Sequence, residues 1–276
     1  MTIFITVPLL LVVYFSVVDV GPDGRAIFTL YHYWRFFEPS FEGQPFFQRL
    51  YVAVLMRSIW LALISTAVCF VLGYPLAYIM AKYYSHKSFL LFLFLVPMWM
   101  NFLLRTYAWL TILEQNGVLN AVLSFLRLPT IDILFTDTAV VLGMVYNFLP
   151  FMVLPIYTVI KGMDNSLIEA AQDLGADNTK VFLRVVFPLS MPGVISGITM
   201  VFMPGVTTFI ISNLLGGAQF ILVGNLIEQQ FLRVGDWRFG SAISVILIIL
   251  ILIMMGFFKL LDRQPEQIQQ ERGALY

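Results

Sequence analysis

Charge is what this chain has least of. Asp, Glu, Lys and Arg make up 12% of its 276 residues, against 60% hydrophobic ones, too little to give a soluble protein of this size a polar surface. The formal net charge is zero and the basic residues are scattered, so the clustered positive footprint of a nucleic-acid binder is missing and no nucleic-acid partner is expected. The single cysteine, Cys69, lies in an apolar run, which excludes a disulfide framework and a thiolate metal site and leaves it as small apolar filler. His32 and His86 stand far apart with no Cys/His cluster near either, so no metal site is expected. No G-x-x-x-x-G-K-S/T phosphate loop occurs, so the chain does not bind ATP by that route. Neither histidine falls in a long apolar run, and the runs hold no paired acids, so an intramembrane enzyme would lack its constellation.

What the chain has in abundance is uninterrupted apolar sequence, with a mean hydropathy of +0.88. A bilayer core of about 30 Å needs roughly 20 such residues in helix. About six runs fit: Ile3 to Val18, Ser58 to Met80, Phe89 to Leu110, Ala139 to Ile160, Pro192 to Ile211 and Ala242 to Phe258. They lack the period-2 alternation of barrel strands, and isolated strands would leave backbone groups unpaired in hydrocarbon. The expectation is an all-α membrane protein of about six transmembrane helices, a permease-sized domain over 1–260 with a C-terminal tail over 261–276. The first run is short and begins at Met1 without a preceding basic residue, which suits neither a signal peptide nor a comfortable span; it is read as a helix whose true start lies upstream.

Six helices would put both termini, Lys82 to Ser88 and Lys161 to Leu189 on one side. All five lysines (Lys82, Lys87, Lys161, Lys180 and Lys259) fall there, which assigns that side to the cytoplasm, although Arg25, Arg35, Arg49, Arg57, Arg127, Arg233 and Arg238 in the opposite loops blunt the bias. Pro75, Pro97, Pro150, Pro155 and Pro204 lie within the runs. Each removes a backbone donor and favours a kink, useful to a protein that opens and closes or simply a matter of packing.

The segment between the fourth and fifth runs, Asp164 to Leu189, reads as two short helices. Ser166 followed by Glu169 is a capping-box pattern, and Leu167, Ala170, Ala171 and Leu174 share one helical face. Gly175 is placed to end that helix in a left-handed conformation. Asp177 or Asn178 would cap a second helix with an apolar stripe of Val181, Phe182 and Val185, and Pro188 and Pro192 would halt it. Taken alone, an amphipathic pair of this kind is more often a structural re-entry or interfacial element than a docking element.

The order of residues narrows that choice. Glu169-Ala170-Ala171, then Gly175, then Val185, Phe187 and Pro188 resemble the E-A-A…G…I-x-L-P signature of ABC importer permeases, with Val185 and Phe187 in place of the usual Ile and Leu. The resemblance implies a type I importer-like bundle whose cytoplasmic loop forms coupling helices seated in an ATPase subunit, with Glu169, Ala170, Ala171, Asp173, Gly175 and Pro188 in that mechanical role. It further implies an ATPase dimer as the motor, ATP and Mg in those partner subunits and no cofactor in this chain. A second homologous permease and an extracellular or periplasmic solute-binding protein complete the implied assembly. Segments such as Leu72-Gly-Tyr-Pro-Leu-Ala-Tyr, Val96-Pro-Met-Trp-Met-Asn-Phe-Leu-Leu-Arg-Thr-Tyr-Ala-Trp, Leu149-Pro-Phe-Met-Val-Leu-Pro-Ile-Tyr and Gly216-Gly-Ala-Gln-Phe-Ile-Leu-Val-Gly-Asn-Leu-Ile are similar to the B-type permeases of spermidine/putrescine importers. The resemblance implies a polyamine substrate, with another small organic solute as the alternative.

The residues themselves support a polycation only in part. Aromatic faces are present for cation–π attraction, yet none of the six runs contains Asp or Glu, so tight recognition would belong to the binding protein. A gradient-driven transporter would need just such intramembrane acids. Residues that place polar or aromatic surface on a substrate path are Asn101, Tyr107, Trp109, Tyr146 and Asn147, and later in the chain Thr207, Thr208 and Asn213. Tyr107 and Trp109 also fit an interfacial aromatic belt, and the two asparagines Asn101 and Asn147 also fit interhelical hydrogen bonding. Arg105, the one ionised group in a run, would repel a polycation and is assigned a gating or structural role. Glu114, Asp132, Asp137, Glu228 and Asp236 in the outer loops either steer a cation or dock a binding protein, or are plain solvated charge.

Overall fold

The computed structural model describes residues 2–20, 25–39, 45–46, 49–82, 92, 94–217, 219 and 221–262. The expected loop after Lys82, with His86 and Lys87, and nearly all of the 261–276 tail lie outside the described residues. The chain is helical almost throughout: α1 (Thr2–Val17), α2 (Tyr31–Phe37), α3 (Leu50–Lys82), α4 (Phe102–Leu113), α5 (Val118–Phe125), α6 (Asp137–Gly162), α7 (Asn165–Asp173), α8 (Asn178–Thr207), α9 (Ile210–Leu215), α10 (Val223–Glu228) and α11 (Trp237–Asp262). The one exception to all-α among the described residues is a small hairpin, β1 (Val18–Val20) antiparallel to β2 (Ala26–Phe28), pairing Val18 with Phe28 and Val20 with Ala26.

Among the described residues four helices, α3, α6, α8 and α11, are long and apolar enough to cross a membrane; each overlaps one of the expected runs, although α8 begins well before Pro192 and ends at Thr207, short of Ile211. At about 1.5 Å per residue the 33 residues of α3 span ~50 Å, well beyond the hydrocarbon thickness. The first run forms the 16-residue α1. The third is not one helix: among the described residues a 3-10 turn, Val96–Trp99, and an extended Met100 interrupt it. Pro97 cannot donate into a helical ladder, and the Asn101 side chain accepts from the Leu103 N–H at 2.8 Å, so α4 starts afresh there.

The fold forms two compact units. One comprises Met1–Leu61, Trp109–Val140 and Val206–Met254, with a core that includes Phe36, Leu113, Val140, Ile211, Leu215, Leu222, Phe239 and Ile243. Its polar framework is longer-range than its sequence suggests: Arg57 binds both carboxylate oxygens of Asp137, at 2.7 and 2.9 Å, and Asn120 exchanges bonds with the Ile131 backbone at 2.9 and 3.0 Å. The other comprises Ala62–Ala108, Val141–Gly205 and Met255–Tyr276. There α8 lies close against α6 through Gly193 and Gly197, four residues apart. A Cβ at Gly193 would stand 2.9 Å from the Pro155 carbonyl oxygen, and one at Gly197 would stand 2.8 Å from the Met152 sulfur. This is the small-residue contact by which membrane helices gain packing where no hydrophobic effect drives them together. Cys69, fully buried, is apolar filler as expected.

Candidate functional site

The segment after α6 is shaped by caps. Asp164 accepts from the Ser166 N–H at 2.9 Å, so the cap of α7 is Asp164 and not Ser166, which already lies inside the helix. That backbone contact holds the Asp164 carboxyl below the usual aspartate range. At the other end Gly175 has φ +81. Its N–H reaches the Gln172 carbonyl at 2.8 Å, and the Ala176 N–H reaches that of Ala171 at 3.0 Å, the paired bonds of a Schellman ending. A Cβ at Gly175 would meet nothing within 4 Å, so backbone conformation alone selects glycine here. Asp177 then caps the next helix, accepting from the Lys180 N–H at 2.8 Å.

That next helix does not stop at Pro188 or Pro192. It runs on as α8, and the adjustment is a π-helical turn over Phe182–Val186 in which the Phe187 N–H bonds the Phe182 carbonyl, five residues back. Widening the turn just ahead of Pro188 re-registers the ladder where the proline has no N–H to give. The exposed elbow is thereby joined directly to a membrane-length helix. It is also tied to α3: Phe182 packs edge-on against Tyr74 and Tyr78, with centroids at 5.8 and 5.4 Å, Tyr74 Oη and Ser190 Oγ lie 2.8 Å apart, and Lys82 donates to Asn165 at 2.8 Å.

Glu169, Ala170, Asp173 and Pro188 are exposed, Ala171 is half-buried, and Leu174 is 90% exposed. Between the arms lies a cleft of about 400 Å³ lined by Ala171, Leu174, Gly175, Ala176, Lys180, Val181, Arg184 and Val185. Leu174 thus projects into solvent beside small residues on an elbow capped by Asp164 and Asp177.

The polar residues expected on a path fall in both units. In the second, Asn101 caps α4 and Arg105, one turn on, is buried at 8% exposure with no hydrogen-bond partner for its Nε, so it does not snorkel outward. Tyr107 is exposed. Tyr146 is partly exposed, while neighbouring Asn147 is buried on α6, donating to the Gly143 carbonyl at 2.9 Å and leaving its Oδ1 without a partner. In the first unit, Trp109 is half-buried, Thr207 ends α8, Thr208 lies in the break that follows and Asn213 is on α9.

Composition reasoning missed the residue that organises this break. Asn225, 1% exposed, donates to Asn213 Oδ1 at 2.7 Å and to the Phe209 carbonyl at 3.1 Å, and accepts from Ser212 Oγ at 2.9 Å and the Leu222 N–H at 3.0 Å. Beside it the Val223 N–H reaches Ser58 Oγ at 2.8 Å, and a Cβ on Gly224 would fall 2.3 Å from the Thr207 carbonyl oxygen. Irregular backbone among membrane helices needs such internal satisfaction. The available signal was an asparagine after glycine inside an otherwise apolar stretch.

These features are those of a transport-system membrane component. The model of the family described as "Binding-protein-dependent transport system inner membrane component" matches residues 70–267, and the chain belongs to that family. It is 40% identical over 275 residues to the spermidine/putrescine transport system permease protein PotB of Escherichia coli K12, covering 96% of each chain. With PotB of Haemophilus influenzae it shares 39% over 275 residues, covering 95% of this chain and 92% of that one. Among solved structures, a bacterial ABC transporter involved in import of the acidic polysaccharide alginate matches with a TM-score of 0.77 at 16% identity, over 96% of this chain and 91% of that one. The MetNI methionine ABC transporter matches at 0.54 and 17%, over 77% and 94%. The protein is a multi-pass component of the cytoplasmic membrane.

Proposed function

We propose that this chain is the membrane-spanning permease subunit of an ATP-driven spermidine/putrescine importer. The observation that carries the reading is the match to PotB permeases along nearly the whole of both chains; the capped elbow at Gly175 supports it independently. In this reading 1–260 is one transmembrane domain of the type I importer kind, with α1 and the 94–113 segment supplying the two crossings beyond the four long helices. Residues 161–189 face the cytoplasm and dock on an ATPase dimer, which binds ATP and Mg and performs the hydrolysis, so this chain itself is not an enzyme.

Glu169, Ala170, Ala171, Asp173 and Gly175 form the docking surface. Pro188, behind its π-turn, passes the movement into α8, and Phe182 passes it to α3. A second homologous permease completes the path, and a solute-binding protein delivers the polyamine. Asn101, Tyr107, Trp109, Tyr146, Asn147, Thr207, Thr208 and Asn213 offer the weak polar and aromatic contacts that suit passage over tight binding, and Arg105 gates or braces. Fixed positive charge repels a polycation, so the burial of Arg105 fits a role away from the substrate.

The test is uptake of labelled spermidine and putrescine by cells lacking their own polyamine importers and expressing this chain with its partner subunits. Saturable accumulation, competed by unlabelled polyamine and not by other organic solutes, is expected. An assembled complex that hydrolyses ATP and accumulates neither polyamine would overturn the substrate assignment.

A further inference from the structure

The N-terminal hairpin and α2 carry an exposed aromatic surface. Along α2 the residues one turn apart, Tyr31 and Trp34, are 54% and 72% exposed, whereas His32 and Phe36 on the other face are 5% and 1% exposed. Just before them Phe28 and Leu30 are exposed at 77% and 70%. The buried face is tied to the ends of three apolar helices. Tyr33 donates to Ser16, in the last turn of α1, at 2.8 Å. Phe36 stacks on Tyr51, at the start of α3, with centroids 5.9 Å apart. Arg35 binds Asp236, one residue before α11, at 2.8 Å and lies 4.2 Å over the Phe239 ring.

Those ties fix the depth of α2. It sits level with the termini of helices whose bodies are apolar, which in a bilayer is the headgroup region. Tryptophan and tyrosine prefer this level because each joins a large apolar ring to a polar N–H or O–H. Trp237, at the start of α11, is 56% exposed at the same level.

We propose that the hairpin and α2 form an in-plane anchor whose partner is the headgroup–acyl boundary of the leaflet in which α3 and α11 begin. A protein partner fits less well. The ionised groups here are paired with one another, Arg35 with Asp236 and Arg238 with Asp19 at 3.1 Å, leaving an outer face of aromatic and aliphatic side chains with Arg25 and Glu38 at its margins. Val13 and Tyr14 of α1 are exposed as well, and amphipathic elements of this kind bury their apolar side about 5–10 Å into the boundary.

The single native cysteine makes the test direct. With Cys69→Ala as background, Leu30→Cys would be labelled with an environment-sensitive fluorophore and the chain reconstituted into phosphatidylethanolamine/phosphatidylglycerol vesicles, with and without its partner subunits. The expected result is blue-shifted emission and quenching severalfold stronger by a nitroxide high on the lipid chain than by one near its end. Little quenching by aqueous iodide is expected, with or without partners. Iodide quenching that exceeds lipid quenching would overturn the proposal, as would shielding from both once partner subunits are present, which would assign the surface to a protein. Phe28→Cys puts the same question should Leu30→Cys fail to assemble. None of these readouts depends on which solute is carried.

Discussion

The elbow at Asp164 to Pro188 and the knot at Thr207 to Asn225 are both breaks in helix, built in opposite ways. The elbow satisfies its backbone from within a few residues, through Asp164, the Gly175 ending and Asp177, and leaves Leu174 and Glu169 in solvent. The knot is buried, and its bonds reach further along the chain: those of Asn225 span 3 to 16 residues, and Val223 and Ser58 are 165 residues apart. A locally satisfied turn keeps its shape while its surface is free to meet a partner. A turn satisfied from afar cannot change without disturbing every strand of the bundle that serves it. In the function proposed above, contact with a partner falls to the first and fixed geometry to the second.

The comparison can be broken at the knot first. Gly224→Val sets a Cβ against the Thr207 and Thr208 carbonyls, at 2.3 and 3.1 Å, and backbone cannot yield as a side chain does. A loss of about 3 kcal/mol or more is expected, read as failure of the purified protein to stay monodisperse on heating. Asn225→Ala removes all four bonds to Asn213, Phe209, Ser212 and Leu222. At roughly 0.7 kcal/mol for each of the four bonds it should lower stability by ~3 kcal/mol, with Asn225→Asp intermediate because the donated half is lost. Unfolding midpoints in detergent would separate the three; equal midpoints would mean that the knot bears no weight.

At the elbow the expected ranking of stability and transport reverses. Gly175→Val forces a β-branched residue toward φ +81 at about 1–2 kcal/mol, a small shift in midpoint with a large loss of uptake. Smallest of all is a pH effect at the α7 cap. Because the folded Asp164 carboxyl titrates below its unfolded value, its contribution is complete above the unfolded range near ~4 and fades as pH falls through the lower folded value. Protection of the Ser166 amide, taken relative to its intrinsic exchange rate at each pH, should fall on acidification in the native chain and be low at every pH in Asp164→Ala. Asp236 behaves with the same sign: partial burial pushes its carboxyl up, but the Phe239 N–H and the Arg35 guanidinium outweigh that and hold it low. Acid should therefore loosen α2 from α11.

Much of the elbow was legible because capping is a short-range matter. Gly175 was readable from its neighbours, the cap of the next helix was narrowed to Asp177 or Asn178, and the cap of α7 was misplaced by two residues only because Asp164 and Ser166 can both accept. Pro188 read as a stop since sequence does not reveal a π-turn that carries the ladder past it. The third run read as one span because apolar composition hides the break that Pro97 and Asn101 impose. The knot was largely illegible. Asn225 gains meaning only when Ser212, Asn213 and Leu222 are brought around it, and Ser58 only when Val223 arrives. The hairpin escaped notice for the same reason: three-residue strands carry no period.

The claim that the elbow transmits force is tested most directly by the ratio of transport to hydrolysis. Proteoliposomes holding this chain with its ATPase, second permease and binding protein would be assayed for spermidine uptake and ATP turnover, native beside Gly175→Val. The account predicts that the variant assembles and retains basal hydrolysis, while uptake and its stimulation by the loaded binding protein collapse. Uptake per ATP equal to that of the native chain would contradict it.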